Sequence, residues 1–172
     1  MSEPLKTQQG FTIYRATEAK EIVESGCITG APMSDIALAG FTRVMQAGYN
    51  DGEEIKVLCN IPGFSLVYSW FKPGFPLPLH SHNADCLYYI VSGSLRLGTE
   101  DLGPRDTFFV PCDVPYTYKV GPEGLEILEF RHATQFNFVN LAKGQAFWDK
   151  AVKTVEDRRA EWKTSKRPVT NA

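Results

Sequence analysis

Gly74-Phe-Pro-Leu-Pro-Leu-His80-Ser-His82-Asn-Ala-Asp-Cys86 runs on through Leu87-Tyr-Tyr-Ile-Val-Ser to Gly93, and the reading of this stretch decides the fold. Side chains on a strand alternate with period two, so His80 and His82 point the same way if they lie on one. Imidazole is a versatile neutral ligand, and such a pair offers half of a site for a first-row metal. Downstream, Cys86 to Val91 is apolar or aromatic throughout and reads as a strand. Ser92-Gly93-Ser94 then turns the chain into a second short strand, Leu95-Arg96-Leu97.

Working outward, Phe64 to Phe71 is aromatic and β-branched enough for a central strand. Lys72-Pro73-Gly74 breaks it, and Pro76 and Pro78 keep the approach to His80 extended. Ile55 to Asn60, Thr107 to Val110, Tyr116 to Val120 and Leu125 to Arg131 complete a set of short strands separated by Gly or Pro. That rhythm, with no helix between residues 55 and 131, argues for an all-β, antiparallel barrel or jelly roll. Upstream, residues 1 to 10 are polar and aperiodic, which suggests a loose arm. Phe11 to Arg15 alternates like a strand, and Thr17 to Ser25 has helical spacing with Thr17 as a cap and Gly26 as a stop. A short strand is expected near Phe41 to Met45, and Gly48-Tyr-Asn-Asp-Gly52 is a turn signal. From Gln145 to about Lys163 the period becomes helical, with Trp148, Ala151, Val152, Val155 and Trp162 largely on one face. The expected organisation is a single domain. Residues 1–54 supply an arm, a short helix and flanking strands, 55–135 the barrel core, and 136–172 a C-terminal helical tail.

The pattern Gly-x5-His-x-His-x3-Cys-x6-Gly resembles the first motif of the cupin superfamily, with Cys86 where that family normally carries glutamate. The second motif of the family, Gly-x5-Pro-x-Gly-x2-His-x3-Asn, survives in outline. Alignment on Pro111 puts Arg105 and Asp113 at its glycines, Tyr116 at its histidine and Val120 at its asparagine. The resemblance covers roughly residues 63 to 131 and implies an RmlC-like, single-domain jelly roll with a degenerate second motif.

That resemblance makes His80 and His82 the candidate metal ligands, with Cys86 and Tyr116 completing or modulating the site. The ion implied is a divalent transition metal of the iron, zinc, nickel or copper type. Cys86 has three possible roles: a small apolar core residue, a thiolate ligand, or a partner in a covalent link to tyrosine, as in cysteine dioxygenase, which is also a cupin. Tyr116 is either a ligand, as tyrosine is in some cupin lyases, or a pocket wall and hydrogen-bond donor; its phenol has an ordinary pKa of about 10. His132 closes the last strand. If Leu128 and Phe130 face the core, His132 does too, and Glu129 and Arg131 face outward. The alternative is a rim position. Counting by twos adds Tyr88 and Tyr118 to the pocket, and Tyr68 and Trp70 if their face of the earlier strand is the inner one. Phe130 joins them on the last strand. Aromatic walls around a small polar cluster suit a compact, partly apolar ligand.

Of the 172 residues 43% are hydrophobic and 22% charged, which is ordinary for a globular domain with a real core. The formal net charge of −2 offers no electrostatic grip on nucleic acid or anionic lipid, so neither is an expected partner. The N-terminus has no basic-then-apolar signal and no apolar run approaches spanning length, so a cytoplasmic protein is expected. Cysteines 27, 59, 86 and 112 form no Cys-x-x-Cys pair and are expected to be free thiols. The apolar stripe of the C-terminal helix, with the habit of cupin barrels of pairing through their sheets, points to a homodimer. Two functions compete: a metal-dependent dioxygenase or lyase/isomerase acting on a small organic molecule, and a non-catalytic small-molecule-binding cupin that senses or stores its ligand.

Overall fold

The computed structural model describes residues 10–169, so the expected arm lies almost wholly outside the described residues. In chain order the elements are β1 (Lys20–Glu21), α1 (Ile22–Ser25), β2 (Ile28–Gly30), α2 (Asp35–Ala47), β3 (Glu53–Ile61) and β4 (Phe64–Phe71). There follow β5 (His80–Ser81), β6 (Cys86–Leu97), β7 (Glu100–Leu102), β8 (Thr107–Val110), β9 (Lys119–Arg131), β10 (Phe136–Asn140) and α3 (Gln145–Trp162). The described residues are thus mostly β, with three α-helices among them, and as expected no helix interrupts residues 55–131. None of the helices among the described residues is long and apolar enough to cross a membrane.

The strands form two sheets. The larger is antiparallel, in the order β1-β3-β4-β9-β6-β7, with β8 also paired to β6. The smaller has the order β2-β10-β5, and an isolated bridge joins His80 of β5 to Tyr116. No strand pairing among the described residues closes the two sheets into a barrel. They enclose a cavity instead. Register decides what faces it. On β4, Ser65, Val67 and Ser69 stand opposite Arg131, Glu129 and Ile127 of β9. Those three in turn stand opposite Cys86, Tyr88 and Ile90 of β6. All nine are buried and share the inner face, since residues paired across a ladder point the same way.

Several local expectations change. Phe11 to Arg15 forms no strand, because no neighbour pairs with it; Phe11 is 95% exposed. The expected helix from Thr17 shrinks to one turn, because Lys20 and Glu21 pair with the edge of β3 instead. Gly26 still ends it in the left-handed region. Phe41 to Met45 lies in α2, not in a strand. The Ser34 hydroxyl caps that helix by accepting from the Ala37 N–H, and Ala37, Gly40 and Val44 make its buried stripe. The turn expected at Ser92–Ser94 is a pair of irregularities within one continuous β6, and the end of the expected Tyr116–Val120 strand merges with Leu125–Arg131 into the long β9, leaving Tyr116 in an isolated bridge. In each case a partner strand continues past the glycine and carries the ladder through it.

The C-terminal helix is where the sequence puts it, but its apolar face is covered by its own chain. Trp148, Ala151, Val155 and Trp162 are all buried, packing against α2 and the turn at Tyr49–Gly52. Trp148 donates its indole N–H to the Ala142 carbonyl at 2.9 Å, and Trp162 to that of Pro73 at 3.0 Å. Close approach depends on Gly40, where an added Cβ would lie 2.1 Å from the Trp148 indole Cγ. Full burial of a large apolar side chain contributes about 1.5–3 kcal/mol, so this face fastens the helix pair to the sheets.

Candidate functional site

His80 and Ser81 form the short strand β5, and its pairing with β10 and with Tyr116 brings the polar cluster together. His80 and His82 are both buried and both line a cavity of about 290 Å3 between the sheets. Each imidazole is held by its Nδ1 atom, His80 against the Pro78 carbonyl at 2.8 Å and His82 against the Asn137 carbonyl at 2.5 Å. A carbonyl can only accept, so Nδ1 carries the proton and Nε2 keeps its lone pair on both rings. Burial keeps both rings neutral. Desolvation first, and Arg131 second, push His82 down to about 4, while desolvation lowers His80 despite its bond to Pro78. Phe138 stacks on His80 with centroids 4.8 Å apart, and Phe136 meets His82 edge-on at 5.3 Å.

Tyr116 lies beside the pair, its ring centroid 4.3 Å from that of His80. Its hydroxyl is hydrogen-bonded to that of Tyr88. Burial, and then the Glu129 carboxylate, raise both phenols well above the ordinary value, so both stay protonated. Tyr118 stands next on the same wall, 6.5 Å from Tyr116 between centroids. Behind Tyr88, Arg131 donates from Nη2 to its oxygen at 3.4 Å and to Glu129 Oε2 at 2.7 Å. Glu129 Oε1 accepts from the Ser69 hydroxyl at 2.7 Å. Burial would raise the Glu129 carboxyl, but Arg131 and the Ser69 hydroxyl outweigh it and hold the group below its ordinary value. Arg131 Nε and Nη1 have no hydrogen-bond partner among the described residues, and the Phe136 ring lies 3.9 Å from the guanidinium carbon.

The expected inner face of the last strand is therefore reversed. Leu128 and Phe130 are half-buried on the outer side, His132 is exposed, and Glu129 and Arg131 face the cavity. Cys86, Tyr88 and Ile90 must point inward, and the register with β6 carries Arg131, Glu129 and Ile127 inward with them. The same register puts Tyr68 and Trp70 of β4 outside, beneath Arg167, whose guanidinium lies 5.1 Å from the Trp70 ring and whose Nε donates to the Tyr68 hydroxyl. Tyr68, Trp70 and Phe130 do not line the cavity; Tyr88 and Tyr118 do. Cys86 is buried but lies outside the lining, and desolvation pushes its thiol up to about 12.

Glu53, Glu129 and Arg131 are the charged lining residues not expected from the sequence, and Phe71, Phe136 and Phe138 are aromatic ones. Opposite charges two apart, as in Glu129-Phe-Arg131, share a face on a strand and can neutralise each other there; that was the available signal. Glu53 faces inward with Ile55 and Val57 and has no hydrogen-bond or ion-pair partner among the described residues. Desolvation, with a smaller contribution from Glu21, raises its carboxyl to about 7.

The donor set bears on the metal. Bonds of about 2.1 Å to one ion, at tetrahedral or octahedral angles, place two imidazole centroids about 4.6–5.3 Å apart; here they are 5.0 Å apart. That separation is compatible with a shared ion. No group of three or more His, Cys, Asp or Glu side chains suited to a metal occurs among the described residues, so His80 and His82 form an incomplete set, with the Tyr116 ring packed beside His80.

No family model matches the sequence, and no curated protein matches it. Among solved structures, the polyketide cyclase RemF from Streptomyces resistomycificus is similar at 19% identity, over 62% of this chain and 82% of that one, with a TM-score of 0.51. An RmlC-like cupin from Shewanella frigidimarina NCIMB 400 is 25% identical over 47% of this chain and 76% of its own, with a TM-score of 0.43. Oxalate decarboxylase from Bacillus subtilis, in a structure concerned with its Mn(II) centres, is 22% identical over 46% of this chain, with a TM-score of 0.41; only 25% of that longer chain is covered. What is shared at such identities is the fold. The chain thus shares its fold with RemF and is similar to RmlC-like cupin structures.

Proposed function

We propose that this protein is an enzyme that transforms a small organic molecule in the cavity between its sheets, with His80 and His82 holding a divalent transition metal. The observation that carries this reading is the anchoring of both Nδ1 atoms on backbone carbonyls, which aims two Nε2 lone pairs at one cavity. Hydrogen bonds from the other ring nitrogen to a carbonyl orient ligating histidines generally. Imidazole nitrogen suits zinc, iron, nickel or copper over magnesium or calcium. When bound, such an ion supplies Lewis acidity or, with iron or copper, redox chemistry.

The chain's own residues do the rest. Phe71, Phe136 and Phe138 exclude water and grip an apolar or aromatic body. Arg131 donates to the Tyr88 oxygen, so the Tyr88 proton can go to Tyr116, and the Tyr116 proton is then free for a substrate oxygen. A neutral phenol that gives a hydrogen bond to a developing oxyanion stabilises it in a dry site. This chain of donors favours lyase or isomerase chemistry over oxygenation. A second reading, a metal-free binding protein, draws on the mutual satisfaction of Tyr88 with Tyr116 and of Glu129 with Arg131, and on the absence of a third strong ligand among the described residues.

Anaerobic reconstitution with ferrous iron, zinc, nickel and copper, followed by desalting and metal analysis, tests the proposal. The wild type should retain about one equivalent of at least one ion, and His82→Ala should retain none while the apo proteins melt alike. Uptake of no ion by the wild type would leave the binding-protein reading.

A further inference from the structure

A second and larger cavity, of about 800 Å3, opens on the far side of Leu77 and Tyr118, which line both. Its floor is apolar, built by Phe75, Leu77, Leu79, Leu141 and Phe147. Its charged lining is of one sign: Arg96, Lys119, Lys143 and Lys150, with no aspartate or glutamate. Arg96 is occupied by Asp101 at 2.7 Å. The three lysines are exposed, and among the described residues none of their ammonium groups has a hydrogen-bond or ion-pair partner. A chain of net charge −2 that leaves three unpaired cations around one apolar hollow is complementary there to a ligand with the opposite arrangement.

We propose that this groove binds a free small amphipathic anion, an alkyl, acyl or aryl body carrying a phosphate or carboxylate. The body lies on the Phe75–Leu77–Leu79 floor, and the anionic head is met by Lys119, Lys143 and Lys150. Solvated lysines supply attraction without demanding one head-group geometry, whereas the concave floor limits the size of the body. The site is separate from the histidine cavity, with the side chains of Leu77 and Tyr118 between them. It does not depend on metal at His80 and His82.

Octyl phosphate, kept below its micelle concentration, is the probe, and isothermal titration of metal-free wild-type protein the assay. Saturable binding at one site per chain is expected, with octyl glucoside, the uncharged comparator, bound at least about tenfold more weakly. The triple variant Lys119→Gln/Lys143→Gln/Lys150→Gln should lose roughly tenfold in affinity, since three exposed charge contacts of modest strength add. Leu79→Gln, in the half-exposed floor, should weaken both probes alike, and His82→Ala should change neither. Equal affinity for the two probes, or an unchanged triple variant, would overturn the proposal. So would loss of binding in His82→Ala, which would place the probe in the inner cavity. Preferential binding to phosphatidylglycerol vesicles would overturn it in favour of a membrane surface, and a wild-type dimer that Leu79→Gln dissociates in light scattering would do so in favour of a second copy of the chain.

Discussion

Replacing Glu53 by glutamine exchanges an unpartnered carboxyl in an apolar cavity for a neutral group of the same shape. The folded protein holds this carboxyl at about 7, chiefly by desolvation, against an ordinary value of 4.5. Between those two values the folded state binds more protons than the unfolded chain, so stability falls as pH rises from about 4.5 through 7 and the full penalty applies above it. The difference corresponds to a ceiling of about 3 kcal/mol, and the partial solvent contact of Glu53 reduces that to about 1–3 kcal/mol. Urea unfolding at pH 4, 6 and 8 measures it. Glu53→Gln should match the wild type at pH 4, exceed it at pH 6 and gain the whole increment at pH 8. A constant offset across the three pH values, or a loss of stability at pH 8, would refute the assignment of Glu53 as an unpaired inward carboxyl.

Other consequences are as direct. Arg131→Met leaves Glu129 buried without its cation and should cost about 3–5 kcal/mol in urea unfolding, whereas Arg131→Met combined with Glu129→Leu should recover most of that loss. Gly40→Ala drives a Cβ into the Trp148 indole and should cost about 1–3 kcal/mol, seen as a lower melting temperature with unchanged sheet content by circular dichroism. Cys86→Ala removes a methyl-sized volume from the core and should cost about 1 kcal/mol with no change in metal retained after reconstitution. Loss of the ion in that variant would make the thiol a ligand.

The stretch from Gly74 to Gly93 was legible because its information is local. Prolines hold the approach extended, two histidines alternate on a strand, and an apolar run follows. Strands β4 and β8 were read to the residue for the same reason, and α3 to within one residue. What sequence hid was long-range. The α2 segment carries three alanines and Gly40, and its helical face becomes meaningful only against Trp148, more than a hundred residues later. Facing was lost on β4 and β9 through one assumption, that aromatic residues turn inward. In the folded chain Tyr68 and Trp70 are covered by Arg167 on the outside, while Ser69, Glu129 and Arg131 occupy the inside as a hydrogen-bonded polar patch. The pattern inverts because a paired glutamate and arginine can be buried at a cost that their mutual bond offsets. Glu53 is not evident from the sequence because it falls between the Gly48–Gly52 turn signal and the strand expected at Ile55 to Asn60, where an acidic residue looks like ordinary solvated surface.

The claim on which the functional account turns is that His80 and His82 present two nitrogens to one ion. Electron paramagnetic resonance of protein loaded with one equivalent of copper(II) reads those nitrogens directly. The account predicts superhyperfine coupling from two imidazole nitrogens in the wild type and its loss in either His80→Ala or His82→Ala, with Cys86→Ala unchanged. A spectrum of copper without nitrogen coupling, or one that both histidine variants leave intact, would contradict it.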